Sequence, residues 1–307
     1  MTLIINTVSY EGIVMAADSK QMQTNNNIQT QLSENVSKII QINNRILVGH
    51  AGLAFFEDDT GELVSIKEFI KEFSTKIDDS YTVEEVSVRL RDFLLEKYPV
   101  QKQLNILEQT FKKDMALKNC QILSFERSDN SIKFRIKDPQ QNIQEGFLNV
   151  EPIDLIVSGY DPDETTHVYE VKIPGEVEAK RGAGDCGCTW VGHGDVVARL
   201  ILGYDGRMFN IPSFKQMLNN QGENNVLSQL QTLEYNISWN LLPLQDAIDI
   251  SVMLIKTTCE IQKFATSILT DTRSAQAVGG PIDVAIITKE HGIQWISKKQ
   301  PHYPHMA

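Results

Sequence analysis

The chain has 307 residues, of which 41% are hydrophobic and 22% charged, a balance typical of a folded globular protein and too apolar for a disordered one. A net charge of -11 argues against a dedicated nucleic-acid binder, because phosphate contacts need clustered Lys and Arg. No run of about 20 apolar residues predicts a membrane span, and the N-terminus lacks the basic start of a secretory signal. The few, unevenly spaced cysteines favour a cytoplasmic protein with free thiols.

Strand patterns open the chain. Residues 2–9 are rich in β-branched side chains and residues 13–17 form a short apolar run, so the Gly-containing turn between them predicts a β-hairpin. The Asn/Gln-rich residues 21–34 are expected to form a polar loop. Residues 38–42 and 45–49 then predict a second pair of strands, joined by a turn at Asn43-Asn44.

Helical periodicity begins after Gly61, with a first helix expected to end near Ile77 and a second to begin after Thr82 as its N-cap. The remaining patterns, in chain order, are a helix at 104–117, strands at 121–125, 132–136, 153–159 and 168–171, helices at 195–202 and 244–264, and a closing hairpin at 282–288 and 292–296. Residues 205–240 are polar and ambiguous. Strands between runs of helices predict antiparallel sheets covered by helices, an α+β fold in a single domain over residues 2–307.

Thr2 carries the chemical signal. Removal of the initiator Met, which is usual before a small residue, would leave Thr2 with a free α-amine beside its own hydroxyl. An α-amine has an ordinary pKa of about 7.7–8.0, close to the pH at which a general base works best. One residue would then supply both nucleophile and base. Taken alone, Thr2 is equally the second residue of an ordinary strand.

Five motifs surround this threonine in a fixed order. They are Thr2-Leu-Ile-Ile, Gly-Ile-Val-Met-Ala-Ala-Asp18-Ser, Asn35-Val-Ser-Lys38-Ile, Val48-Gly49-His-Ala-Gly52 and Val278-Gly-Gly-Pro-Ile-Asp-Val-Ala-Ile-Ile-Thr288. Together they resemble the proteasome β-subunit superfamily of N-terminal nucleophile (Ntn) hydrolases, including its bacterial two-component peptidase relative. The resemblance spans nearly the whole chain.

The resemblance implies a role for four residues. Thr2 matches the catalytic threonine, Asp18 the aspartate that orients the active-site lysine, Lys38 that lysine, and Gly49 the glycine whose backbone N–H stabilises the oxyanion. Physical chemistry agrees, since a cation beside the α-amine lowers its pKa and stabilises a developing alkoxide. Asp18, Lys38 and Gly49 also have ordinary structural interpretations, as a turn aspartate, a solvated strand lysine and a strand bend, respectively.

The chain departs from the family pattern near its end. Many members carry Asp-x-x-Ser before the final Gly-Gly, whereas Ala275 and Val278 stand at those positions here. Asp271 and Ser274 have the right mutual spacing but lie four residues too early. His193, between two glycines, replaces the family serine and is either a hydrogen-bonding group near the amine or a turn histidine.

The resemblance implies a four-layer αββα sandwich and a threonine-type endopeptidase that needs no metal or organic cofactor. The chain is longer than a typical β subunit, so we expect insertions around 100–150 and 205–240. The implied partners are a peptide or unfolded-protein substrate and further copies of the chain, while ring assembly and an ATPase unfoldase partner stay open.

Two alternatives stay open as well. The first is an Ntn amidase that acts on a small-molecule amide. The second is a non-catalytic proteasome-like assembly subunit, against which the absence of a helical extension before the first strand argues. Elsewhere, Cys186-Gly-Cys188 lacks the paired spacings of a structural zinc site, so no metal is expected.

Overall fold

The computed structural model describes residues 2–25, 28–57, 61–265 and 276–299. The strands, in chain order, are β1 (Leu3–Val8), β2 (Ile13–Ala17), β3 (Gln21–Asn25), β4 (Ile28–Ser33), β5 (Ile39–Gln41), β6 (Ile46–Gly52), β7 (Phe55–Glu57), β8 (Leu63–Ser65), β9 (Gln121–Arg127), β10 (Ser131–Lys137), β11 (Ile143–Asn149), β12 (Ile153–Tyr160), β13 (Thr166–Ile173), β14 (Val177–Arg181), β15 (Gly187–Gly192), β16 (Asp283–Thr288) and β17 (Gly292–Ser297). The α-helices are α1 (Ile66–Ser74), α2 (Val83–Lys97), α3 (Val100–Leu117), α4 (Asp195–Ile201), α5 (Pro212–Gln221), α6 (Glu223–Leu230) and α7 (Leu244–Phe264).

Two five-stranded antiparallel sheets hold most of the buried chain. The first has the strand order β15-β1-β2-β16-β17, and the second has the order β14-β13-β12-β6-β5. The first sheet therefore places the N-terminal strand β1 beside β15, with Leu3 opposite Gly192. It also places β16, from the far end of the sequence, against β2.

Three hydrophobic clusters pack these sheets. One is shared by the facing sides of the two sheets and includes Ile4 and Met15 from the first and Leu47 from the second. Another joins the opposite side of the first sheet to α4 and α7. The third joins the opposite side of the second sheet to α1 and α2. Alternation along β1 follows from this arrangement, since Ile4 and its neighbours Leu3 and Ile5 enter different clusters.

The prediction of a four-layer αββα sandwich is wrong for this chain. Within the described ranges, 17 strands divide among five antiparallel sheets rather than two. The sheet β9–β11 forms a separate small core with α3, centred on Phe111, Met115 and Ile136. The hairpins β3–β4 and β7–β8 are two-stranded sheets of their own. The physical reason is that these strands form backbone hydrogen bonds only with one another, so they make separate small sheets outside the two large ones.

Much of the local structure matches the sequence pattern. Thr82 caps α2 through a capping box with Glu85, and the predicted helix at 244–264 coincides with α7. The first helix begins later than expected, because residues 63–65 form β8 and Ser65 caps α1. The predicted loop at 21–34 instead contains the polar strands β3 and β4, which pair only with each other. Because neither strand packs into a large sheet, its sequence shows little apolar periodicity.

The segments expected as insertions have structure of their own. Residues 100–150 hold α3 and the sheet β9–β11, and residues 205–240 hold α5 and α6 with short 3-10 helices. Within the described ranges, no helix is both long and apolar enough to cross a bilayer.

Candidate active site

The start of β1 is fixed by the end of β15. Thr2 is buried, and its carbonyl oxygen accepts the backbone N–H of His193 at 2.7 Å. Gly192 has a φ of +89°, and a Cβ built on it would lie 1.9 Å from the Thr2 carbonyl oxygen. Only glycine fits this backbone approach, because any side chain would collide with Thr2 in a conformation that other residues rarely adopt.

Asp18 follows β2 directly and is fully buried. Its Oδ1 accepts the backbone N–H of Leu3 at 3.0 Å and the ammonium of Lys38 at 2.7 Å. Its Oδ2 accepts the backbone N–H groups of Lys20 and Gly279, both at 3.1 Å. Each carboxylate oxygen thus accepts two hydrogen bonds, which hold the side chain in one orientation against the backbone next to Thr2.

Lys38 comes just before β5 and is almost completely buried. Its Nζ donates to Asp18 and to the carbonyl oxygen of Lys20, both at 2.7 Å. A lysine ammonium has three N–H donors, so these acceptors use two of them. Burial lowers the pKa of Lys38 from its ordinary value, and the neighbouring Asp18 charge opposes that change.

The structure therefore brings three of the four predicted residues into one cluster. Asp18 contacts Lys38 directly and reaches Thr2 through the N–H of Leu3, the next residue in the chain. The cluster joins strands that are far apart in sequence, and every contact within it is a hydrogen bond or an ion pair between buried groups. Such an arrangement can hold one cation close to the backbone that follows Thr2.

Gly49 is placed differently from the prediction. His50 donates its N–H to Lys38 on the β5 side at 3.0 Å, and successive N–H groups of a strand point to opposite sides. The N–H of Gly49 therefore points toward β12, where Gly49 is paired with Ile156. A Cβ at Gly49 would lie 2.7 Å from Cγ2 of Ile4, so glycine is needed here for the close approach of the two large sheets.

His193 lies where the sequence suggested a contact near Thr2. Its backbone bonds Thr2, and burial lowers the pKa of its imidazole. The glycine after it is required as well, since a Cβ on Gly194 would lie 2.2 Å from Cδ1 of Trp190. Gly192, His193 and Gly194 thus form a closely packed wall beside Thr2.

Two contributors were missed by sequence reasoning. The Gly279 backbone supports the cluster twice, since its N–H binds Asp18 and its carbonyl accepts the N–H groups of Ser19 and Lys20 at 2.9 Å. Lys20 supplies the second acceptor for Lys38 through its carbonyl. The Gly-Gly before the last strands was the available signal, but a backbone contact leaves no side-chain pattern. Asp271, Ser274 and Ala275 lie outside the described residues.

His50 is a further buried titratable group beside the cluster. Burial, followed by the charge of Lys38, lowers its pKa to about 4. Its Nε2 has no hydrogen-bond partner in the part of the chain that the structure describes. The imidazole is therefore held neutral at physiological pH by its surroundings.

The other candidate signals do not gather into a site. Cys188 packs in the cluster with α4 and α7, whereas Cys186 packs against the cluster shared by the two large sheets. All four cysteines are free thiols. Among residues 2–25, 28–57, 61–265 and 276–299, no group of three or more His, Cys, Asp and Glu is placed to hold a metal.

Comparison with known proteins gives no family assignment. The chain matches no protein-family model and no curated protein sequence. The resemblance to the proteasome β-subunit superfamily therefore stays a prediction that rests on the ordered motifs of the sequence.

Proposed function

We propose that this chain is an N-terminal threonine peptidase in which Thr2, after removal of Met1, is the nucleophile. The observation that carries the proposal is the buried Asp18–Lys38 pair, which is bonded to the N–H of the residue next to Thr2. A buried ion pair is costly to desolvate and contributes little net stability, so its placement beside a candidate nucleophile favours a chemical role.

The reaction would proceed in two balanced steps. The Thr2 oxygen attacks the substrate carbonyl carbon while the Thr2 α-amine takes the hydroxyl proton. The carbon–nitrogen bond then breaks, the leaving amine receives that proton, and an ester on Thr2 remains. Water hydrolyses the ester with the same amine as base and regenerates the free threonine.

Lys38 has the donor that these steps need. Two of its N–H groups are bonded within the described structure, and we propose that the third serves Thr2. A fixed cation lowers the pKa of the adjacent α-amine and stabilises negative charge on the threonine oxygen. Asp18 acts through Lys38 and is a positioning residue. With Gly49 turned toward β12, this proposal assigns it a packing role only.

The proposal extends to substrate, assembly and compartment. A peptide or an unfolded protein would be the substrate, and the chain would assemble with further copies of itself. Four free thiols fit a reducing compartment, so we place the enzyme in the cytoplasm.

Intact-protein mass spectrometry before and after incubation with a peptide epoxyketone tests the proposal. The reagent needs a free α-amine and the adjacent hydroxyl to close its ring adduct. We expect loss of Met1 and one stoichiometric adduct in the wild type and in Thr2→Ser, and loss of Met1 without adduct in Thr2→Ala. Retention of Met1 with no adduct would contradict the proposal. Loss of Met1 without a wild-type adduct would contradict a peptidase and leave the small-molecule amidase and the assembly subunit as the surviving alternatives.

One observation favours a non-catalytic assembly subunit instead. The N–H expected to bind the oxyanion, that of Gly49, points into the sheet. In that case the Asp18–Lys38 cluster would only fix the start of β1. The same mass measurement separates the two functions, because an assembly subunit would form no adduct.

A further inference from the structure

A cavity of about 360 Å³ lies between the hairpin β7–β8 and helix α3, within the range of small-molecule sites. Its walls are mainly apolar and include Phe55 and Leu63 from the hairpin and Ile106 and Leu107 from the helix. Leu63 and Ile106 are 68% and 55% exposed, so these walls leave large apolar side chains in water. Helix α3 belongs to the segment that the sequence marked as an insertion.

The cavity lies near the backbone that borders Thr2. The Cβ position of Gly192 that would collide with the Thr2 carbonyl lies 3.5 Å from Cβ of Ala51. Ala51 is followed by Gly52 and Leu53, and Leu53 lines the cavity. The N–H of Leu53 donates to the carbonyl of Pro152 at 3.0 Å, which fixes the backbone between Ala51 and the cavity. The cavity thus lies two residues along the chain from the residue that contacts the segment beside Thr2.

Charged groups at the cavity determine which ionised side chains it can bind. Lys102 of α3 forms an ion pair with Glu57 of the hairpin. Glu151, whose backbone N–H donates to Gln103 of α3 at 3.0 Å, adds a second carboxylate, which forms no ion pair with any other described residue. Two carboxylates against one ammonium repel an acidic side chain. Glu151 is exposed, so pairing with it adds little to the affinity for a basic side chain.

We infer that this cavity binds a large apolar side chain of the substrate, and that the inserted helix α3 thereby determines specificity. Burying such a side chain removes its surface and the exposed walls from water together, which is the main source of affinity in apolar pockets. The inference rests on the proposed function for the reaction at Thr2, but the binding step can be measured without that reaction.

The test uses Thr2→Ala protein and fluorescein-labelled peptides that are identical except for one Phe, Ala, Arg or Glu. Fluorescence anisotropy should give a Kd at least tenfold lower for the Phe peptide than for the Ala and Glu peptides. Adding Ile106→Glu should weaken the Phe peptide at least tenfold and leave the Ala peptide unchanged. Leu117→Glu is the matched control, because Leu117 is 81% exposed on the same helix and away from the cavity. Phe55→Ala tests the opposite wall with a milder change.

The outcomes separate this inference from the proposed function. Equal affinity for the Phe and Ala peptides, tighter binding of the Arg peptide, or equal effects of Ile106→Glu and Leu117→Glu would overturn the inference. The reaction of wild-type Thr2 with an epoxyketone that carries only alanine side chains tests the proposed function alone. Adduct formation with no Phe preference would therefore remove the pocket and keep the nucleophile.

Discussion

Two clusters in this molecule pair a carboxylate with basic side chains, one in the interior and one at the surface. Asp18 and Lys38 have 0% and 3% of their side-chain surface exposed. The carboxylate accepts four hydrogen bonds, from Leu3, Lys20, Lys38 and Gly279. Glu108 of α3 pairs with Lys112 and Arg127, whose side chains are 52% and 37% exposed. Water solvates the second cluster whether or not its partners meet, whereas the first has only the protein.

The difference separates geometry from stability. A surface pair contributes about 0–1 kcal/mol, because screening and side-chain entropy offset its attraction. A buried pair adds little net stability over an apolar replacement, but removal of one partner leaves an uncompensated charge. The Asp18–Lys38 cluster thus fixes the positions of its atoms more than it adds net stability. The two clusters should therefore respond differently to substitution.

The largest expected effect is that of Asp18→Asn. Lys38 would keep its buried ammonium without a counter-ion, so we expect the free energy of unfolding to fall by about 3–5 kcal/mol. Urea denaturation at pH 7 measures this change. Glu108→Gln is the matched control at the exposed cluster, and an equal loss in both variants would refute the contrast.

The double variant Asp18→Asn with Lys38→Met sharpens the same contrast. Methionine removes the buried ammonium that Asp18→Asn alone leaves without a counter-ion, and asparagine keeps one acceptor oxygen for the backbone N–H groups, so part of the lost stability should return. Adduct formation at Thr2 should not return, because the cation is gone. Recovery of both properties would show that the pair has no chemical role.

The next effect is a pH dependence from His50. Its pKa is about 4 in the folded protein and about 6.5 when unperturbed, so the unfolded chain binds more protons between these values. The free energy of unfolding should therefore be highest above pH 6.5 and fall as the pH drops toward 4, by about 3 kcal/mol in total. Urea denaturation at pH 7 and pH 4.5 should show a smaller difference in His50→Gln. The same substitution at exposed His291 should leave the difference unchanged.

A smaller effect is expected at Gly192. Gly192→Ala and Gly184→Ala both place alanine at a positive φ, but only the first meets the Thr2 carbonyl, whereas nothing lies within 4 Å at Gly184. Both should lose about 1–2 kcal/mol of stability from the backbone conformation, and Gly192→Ala should lose more than Gly184→Ala because its methyl group meets the Thr2 backbone. Only Gly192→Ala should also slow epoxyketone adduct formation, by about tenfold, or about 1.4 kcal/mol in activation free energy. Equal adduct rates would show that the position of Thr2 does not depend on this wall.

The smallest effect is expected at Arg127. Arg127→Gln removes one partner of Glu108 from a solvated surface, so the free energy of unfolding should change by less than about 1 kcal/mol. Thermal or urea unfolding measures this change, and added salt should reduce it further. A loss comparable to that of Asp18→Asn would mean that exposure is the wrong basis for the comparison.

Sequence reasoning found the elements with strong periods and the side chains with distinctive chemistry. The α7 segment has a regular apolar period, and Thr82 begins a capping box. Thr2, Asp18 and Lys38 each lie in a short motif that the sequence shows directly. The strands β3 and β4 carry too few apolar residues for a clear alternation, so the sequence predicts a loop there. The role of Gly49 could not be read either, because the direction of its N–H depends on strand register rather than on residue type.

The contact between Gly279 and Asp18 also has a consequence in time. These residues are 261 positions apart, so a ribosome that adds about 5–20 residues per second makes the second roughly 13–52 s after the first. Until then Asp18 lacks one of its four donors, and β2 lacks its neighbour β16. A nascent chain therefore exposes Thr2 long before the cluster beside it is complete. Synthesis order keeps the site incomplete until the strand that closes the first sheet has been made.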